Sequence, residues 1–121
     1  MTVSTNIPKD LNSIAFADAT TAVAVSDVGR IWRTSNAGQT WTEASSQAAY
    51  PLYSVAFGDA TTGIAVGRLG TMVRTTDGGQ SWSAVGGVTL QDMNGVVFTA
   101  GQTAIAVGEG GAVLRTTTLG Q

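Results

Sequence analysis

One 41-residue unit, repeated three times, accounts for nearly all of this chain. Leu11-Asn12-Ser13-Ile14-Ala15-Phe16, Leu52-Tyr53-Ser54-Val55-Ala56-Phe57 and Met93-Asn94-Gly95-Val96-Val97-Phe98 are one segment at a constant offset. The offset holds downstream, through Val23-Ala24-Val25, Ile64-Ala65-Val66 and Ile105-Ala106-Val107, and through the pairs Arg33-Thr34, Arg74-Thr75 and Arg115-Thr116. A fixed period of this length marks a repeat architecture, in which each unit is a supersecondary module that cannot bury its apolar face alone. The fold has to stack three like modules.

The middle copy shows what a module is. Tyr53 to Phe57 alternates, with Val55 and Phe57 on one face and Ser54 and Ala56 on the other, which is strand period. Gly58 to Gly63 is turn-forming, and Ile64-Ala65-Val66-Gly67 reads as a second strand. Arg68-Leu69-Gly70 turns into a third strand, Thr71 to Thr75. Thr76-Asp77-Gly78-Gly79 is a hairpin signal leading to a fourth, Ser81 to Val85. Four short antiparallel strands per repeat and no helical periodicity predict an all-β fold.

Composition removes several functions. Charged residues are 12% of the chain, about half the usual ~25%. The net charge of −2 gives no basic footprint for nucleic acid, so none is expected as a partner. There is no cysteine for a disulfide or thiolate site, and no histidine to serve as general base or metal ligand. No metal and no cofactor is expected. No apolar run approaches the ~20 residues of a membrane span, and residues 1–10 do not read as a signal peptide. No membrane partner is expected, and both a soluble form and a mature extracytoplasmic form stay open.

The third turn carries the most specific residues. Thr75-x-Asp77-x-Gly79-x-Ser81-Trp82 fits the pattern Ser/Thr-x-Asp-x-Gly-x-Ser/Thr-Trp at every position, and Thr34-x-Asn36-x-Gly38-x-Thr40-Trp41 fits with Asn for Asp. The third copy stops short, at Thr116 to Gln121. The chain from residue 11 to 121 thus resembles the BNR/Asp-box repeat, and is most similar to the propeller repeats of photosystem II assembly and stability factors. The resemblance implies a β-propeller of three four-stranded blades per chain and a non-catalytic scaffold holding a protein segment on one ring face. The box itself reads as structural: the Asp or Asn accepts from backbone N–H groups one or two residues on, Gly supplies positive φ, and Trp packs into the sheet. Asn36, Gly38, Trp41, Asp77, Gly79 and Trp82 are assigned that role.

One domain is expected over residues 1–121, with repeats at 11–51, 52–92 and 93–121, the last completed by residues 1–10. Met1-Thr2-Val3 stands where Ser83-Ala84-Val85 stands in the middle copy, so the first residues read as the strand the third repeat lacks. Three blades do not close a ring, since propellers hold typically ~4–8. Two chains supply six, the number in Asp-box sialidases, and three supply nine. The expectation is a C2 homodimer forming one six-bladed ring, with Met1–Thr5 completing a blade of its partner, and a trimer as the larger alternative. A monomeric β-trefoil is the rival fold, for which Gln39-x-Trp41 and Gln80-x-Trp82 imitate the Gln-x-Trp of ricin-type lectins. A fragment of a longer propeller, without a function of its own, also stays open.

Candidate binding residues fall in two groups. Loops joining strands two to three, and strand four to the next repeat, share one ring face and differ among the copies. Asp27, Arg68 and Glu109 are equivalent there, beside Tyr50 and Tyr53. Arg33, Arg74 and Arg115 recur at one strand position and could bind an anion by bidentate contacts, or instead bond carbonyls between repeats. Sialidase chemistry fails residue by residue, because the arginines sit at one repeated position and the tyrosines have no evident acidic partner. No enzyme is expected. A multivalent glycan-binding lectin is the alternative to the protein-binding scaffold. Tyr53 is replaced by Asn12 and Asn94 in the other copies, which leaves repeated sugar-stacking platforms poorly supported.

Overall fold

The structure is a computed structural model, and it describes residues 11–27, 29–44, 46, 48, 50–85, 91–99 and 103–116. The expected strand at Met1–Thr5 and the end of the third repeat lie outside them. Three separate antiparallel sheets form, one per repeat. The first orders β1 (Leu11–Phe16), β2 (Ala22–Ser26), β3 (Ile31–Thr34) and β4 (Thr42–Ala44) as a meander. The second does the same with β5 (Leu52–Phe57), β6 (Gly63–Gly67), β7 (Met72–Thr75) and β8 (Ser83–Ala84). The third holds β9 (Met93–Phe98), β10 (Ala104–Gly108) and β11 (Val113–Thr116). Among the described residues, strands of different repeats do not share a sheet, which is not the connectivity of a β-trefoil. The fourth strand is shorter than the expected Ser81–Val85: it runs over Ser83–Ala84, the Ser81 N–H being taken by Asp77 Oδ1.

Turn chemistry sets the strand ends. Asp18 Oδ1 accepts from the Thr20 and Thr21 N–H groups at 3.0 and 2.8 Å, and Asp59 Oδ1 from Thr61 and Thr62 at 2.9 and 2.8 Å. These bonds to the ionised form hold both carboxyls below the usual carboxylate range. The alternation of β5 is interrupted at its start. Leu52 pairs with Gly67 and Ser54 with Val66, so Tyr53 is an extra residue in a β-bulge. The same shift falls at Asn12, between Leu11 and Ser13, and at Asn94, between Met93 and Gly95. The bulge turns Leu52 onto the face of Val55, and both are buried. Gly67 sits under this bulge, where a Cβ would overlap the Pro51 carbonyl.

The cores lie between sheets. Val23, Val25 and Ile31 of the first sheet pack on Leu52, Val55, Ala65, Val73 and Trp82 of the second. One period on, Ile64, Val66 and Met72 pack on Met93, Val96 and Ala106 of the third. Each sheet thus has a projecting face toward the next repeat and a receiving face toward the previous one. Among the described residues, the outermost faces have no such cover. Leu11, Ile14 and Phe16 are 46%, 54% and 58% exposed, although their equivalents Leu52 and Val55 are buried and Phe57 is half-buried. At the other end Val97, Val107 and Val113 are 58%, 47% and 64% exposed, whereas Val66 and Met72 are buried. Equivalent apolar positions are covered in the middle and bare at both ends.

Candidate functional site

The turn from β7 to β8 closes on itself. Thr75 Oγ1 is buried, donates to Asp77 Oδ1 at 2.8 Å and accepts from Gly79 N at 2.9 Å. Asp77 Oδ1 also accepts from Ser81 N at 3.0 Å, and its Oδ2 from Ser81 Oγ at 2.6 Å. The carboxylate therefore reaches four residues on, not one or two, because the positive φ of Gly78 and Gly79 folds the chain back over it. Trp82 donates its indole N–H to Gly79 O at 3.1 Å and lies edge-on to Phe57, ring centroids 6.1 Å apart. The equivalent turn repeats these bonds with Asn36: Thr34 Oγ1 donates to its Oδ1 at 2.8 Å, Thr40 N at 3.0 Å, and Trp41 donates to Gly38 O at 3.1 Å.

Burial alone pushes the Asp77 carboxyl up, but the bonds from Ser81, Thr75 and Gln80 together outweigh it and hold the group below its ordinary value of 3.8. A carboxyl depressed in the folded state contributes stability above its unfolded value that is lost as pH falls through the folded one. Denaturant midpoints are expected to drop below about pH 4. Asn36 holds the equivalent turn without titrating, its Nδ2 donating to Thr40 Oγ1 at 2.8 Å where Asp77 Oδ2 accepts from Ser81 Oγ, so Asp77→Asn is expected to fold at neutral pH and to flatten that drop, with Asp18 and Asp59 supplying the remainder. An unchanged pH profile in Asp77→Asn would show that this turn does not feel the charge.

The candidate binding residues do not converge on one site. Asp27, Tyr50, Tyr53, Arg68 and Glu109 lie toward one end of the sheets. There Arg68 N donates to Pro51 O at 3.0 Å and Glu109 N to Asp92 O at 2.9 Å. Leu69 N donates to Asp92 Oδ1 at 2.9 Å, which ties the second sheet's loop to the third sheet. Asn12, equivalent to Tyr53 and outside the expected binding residues, donates to both Asp27 Oδ1 and Leu52 O at 2.8 Å and links the first two sheets. Arg33, Arg74 and Arg115 lie toward the opposite end, cross-strand from Val23, Ile64 and Ile105. Arg33 Nε donates to Gly78 O of the next repeat's turn at 2.9 Å. That arginine holds a backbone carbonyl.

Solved structures match this arrangement. YCF48 with a D1 peptide bound is 27% identical, at a TM-score of 0.81 over 93% of this chain. The WD40 β-propeller domain of Doa1 (14% identical, TM-score 0.75) covers 94% of this chain and 39% of its own. An ancestral GH74 enzyme (17%, TM-score 0.73) covers 95% of this chain and 18% of its own. The three sheets are β-propeller blades. Each meander is a blade, and the buried faces between sheets are blade-to-blade contacts. The chain spans 39% of the YCF48 chain's length. The Doa1 and GH74 likenesses show the fold and not the chemistry. No family model and no curated protein matches the sequence.

Proposed function

We propose that this chain is a non-catalytic propeller module that binds a protein segment, and that two copies close one six-bladed ring. The observation that supports binding is the likeness, over nearly the whole chain, to a propeller solved with a peptide in place. The face carrying Asp27, Tyr50, Arg68 and Glu109 is where the three blades differ, and exposed loops on a rigid scaffold are where recognition is individualised. The turns from Thr34 to Trp41 and from Thr75 to Trp82 serve in this reading as Asp-box scaffold. Ring closure is supported by the two bare end faces, whose residues are buried wherever another blade follows. The glycan-binding alternative gains nothing from the bulge position, where Tyr53 stands between Asn12 and Asn94.

Light scattering on size-exclusion fractions is expected to give twice the 12.3 kDa of one chain. A single-chain mass overturns the two-copy ring. Binding is tested on an unbiased array of short peptides beside a glycan array. Selective peptide retention is the expected result, while glycan retention alone, or retention of neither, overturns the protein-binding reading.

A further inference from the structure

Resting on the two-copy ring, we propose that Arg115 and Asn94 are its closing clasp, donating to the backbone carbonyls of Ala37 and Leu11 of a second copy. The argument is the repeat itself. At the junction of the first two blades two side chains cross to main-chain carbonyls: Arg33 Nε to Gly78 O at 2.9 Å, and Asn12 Nδ2 to Leu52 O at 2.8 Å. The third blade carries Arg115 and Asn94 at these same places, two periods on. Both are exposed, and among the described residues neither side chain has a hydrogen-bond partner.

The acceptors recur one period back. Ala37 stands where Gly78 stands, with φ of 61° against 75°. Its N–H donates to Thr20 O at 2.8 Å as that of Gly78 donates to Thr61 O at 2.9 Å, so its carbonyl is presented alike. Leu11 opens β1 as Leu52 opens β5, before the same bulge.

Asn12 is oriented by Asp27, fifteen residues on, and Asn94 is followed at that spacing by Glu109. The middle blade has Tyr53 and Arg68 instead, so the fold does not demand an amide beside an acid. The pair stands in the first and third blades. In the first it joins the next blade, and in the third it faces outward.

The apolar surfaces agree with this register. Val97, Val107 and Val113 form the bare projecting face, and Leu11, Ile14 and Phe16 the bare receiving face. Seating one on the other repeats the contact already made twice within the chain. The contact is head-to-tail, and two such junctions close a two-copy ring.

Sedimentation equilibrium over a dilution series of the full chain tests the clasp. Hydrogen bonds to charged donors are worth about 10-fold each, and a ring that opens loses two, so Arg115→Ala is expected to raise the dimer dissociation constant by about 100-fold. Asn94→Ala is expected to raise it by less. Arg30→Ala removes an exposed arginine paired with Glu43 at 3.4 Å and is expected to leave it unchanged. Val113→Asp is expected to leave single chains, with circular dichroism confirming that they stay folded. A wild-type dimer that tolerates Arg115→Ala with Asn94→Ala overturns the clasp while the ring stands. Equal weakening by Arg30→Ala overturns it as a general charge effect. A dimer surviving Val113→Asp overturns it by showing association through another surface. A wild type sedimenting as one chain removes the ring and the clasp together.

Discussion

Trp82→Ala is expected to lower the unfolding free energy by about 3–5 kcal/mol, a loss comparable with the whole stability of a marginal domain. The indole is 2% exposed and belongs to the core between the first two blades. Its removal leaves a cavity in the cluster that includes Val23 and Val55, beside the Phe57 ring, and it takes away the bond to Gly79 O. Trp41 makes the same bond to Gly38 O but is only half-buried, since among the described residues no blade covers the receiving face of the first sheet. Trp41→Ala is therefore expected to cost less than half as much in a single chain. Urea denaturation of both variants in a Val113→Asp background, chosen so that any association of chains is removed, makes the comparison. Equal losses would mean that the two tryptophans are supported by their own blades alone.

A second large effect is expected at Gly79. Its φ is +92°, and a Cβ there would lie 2.6 Å from Val23 Cγ2 of the neighbouring blade. Gly79→Ala therefore adds overpacking of about 1–3 kcal/mol to a backbone penalty of about 1–2 kcal/mol. Gly38, with φ +91°, has open space at its Cβ position apart from Trp41 at 3.9 Å, so Gly38→Ala is expected to show the backbone penalty alone. Thermal or urea unfolding in the same single-chain background reads the difference, which measures how tightly two blades close on each other. Equal losses at the two glycines would place the whole cost in the backbone. In the proposed two-copy ring, Ile105 of a second copy would stand against Gly38 as Val23 stands against Gly79.

The order of strands was legible because its causes are local. Alternation in Val55–Phe57, turn residues at Asp18 and Asp59, and the Thr75–Trp82 turn act within a few residues of themselves. The period of 41 did the rest by copying them. The bulges were harder to read, since Asn12, Tyr53 and Asn94 share a position without sharing a chemistry. The reach of Asp77 to Ser81 also escaped, because it depends on the backbone path through Gly78 and Gly79.

The sequence alone determined three like all-β modules, their turns and the absence of histidine and cysteine chemistry. Only the tertiary structure decided which face of each sheet is buried and what Arg33 and Asn12 hold. Their acceptors lie 45 and 40 residues away, on a blade whose approach is set by the packing of Val23, Val25 and Ile31 on Leu52 and Val55. Local pattern fixes a module's shape, whereas contacts between modules depend on how two finished surfaces meet.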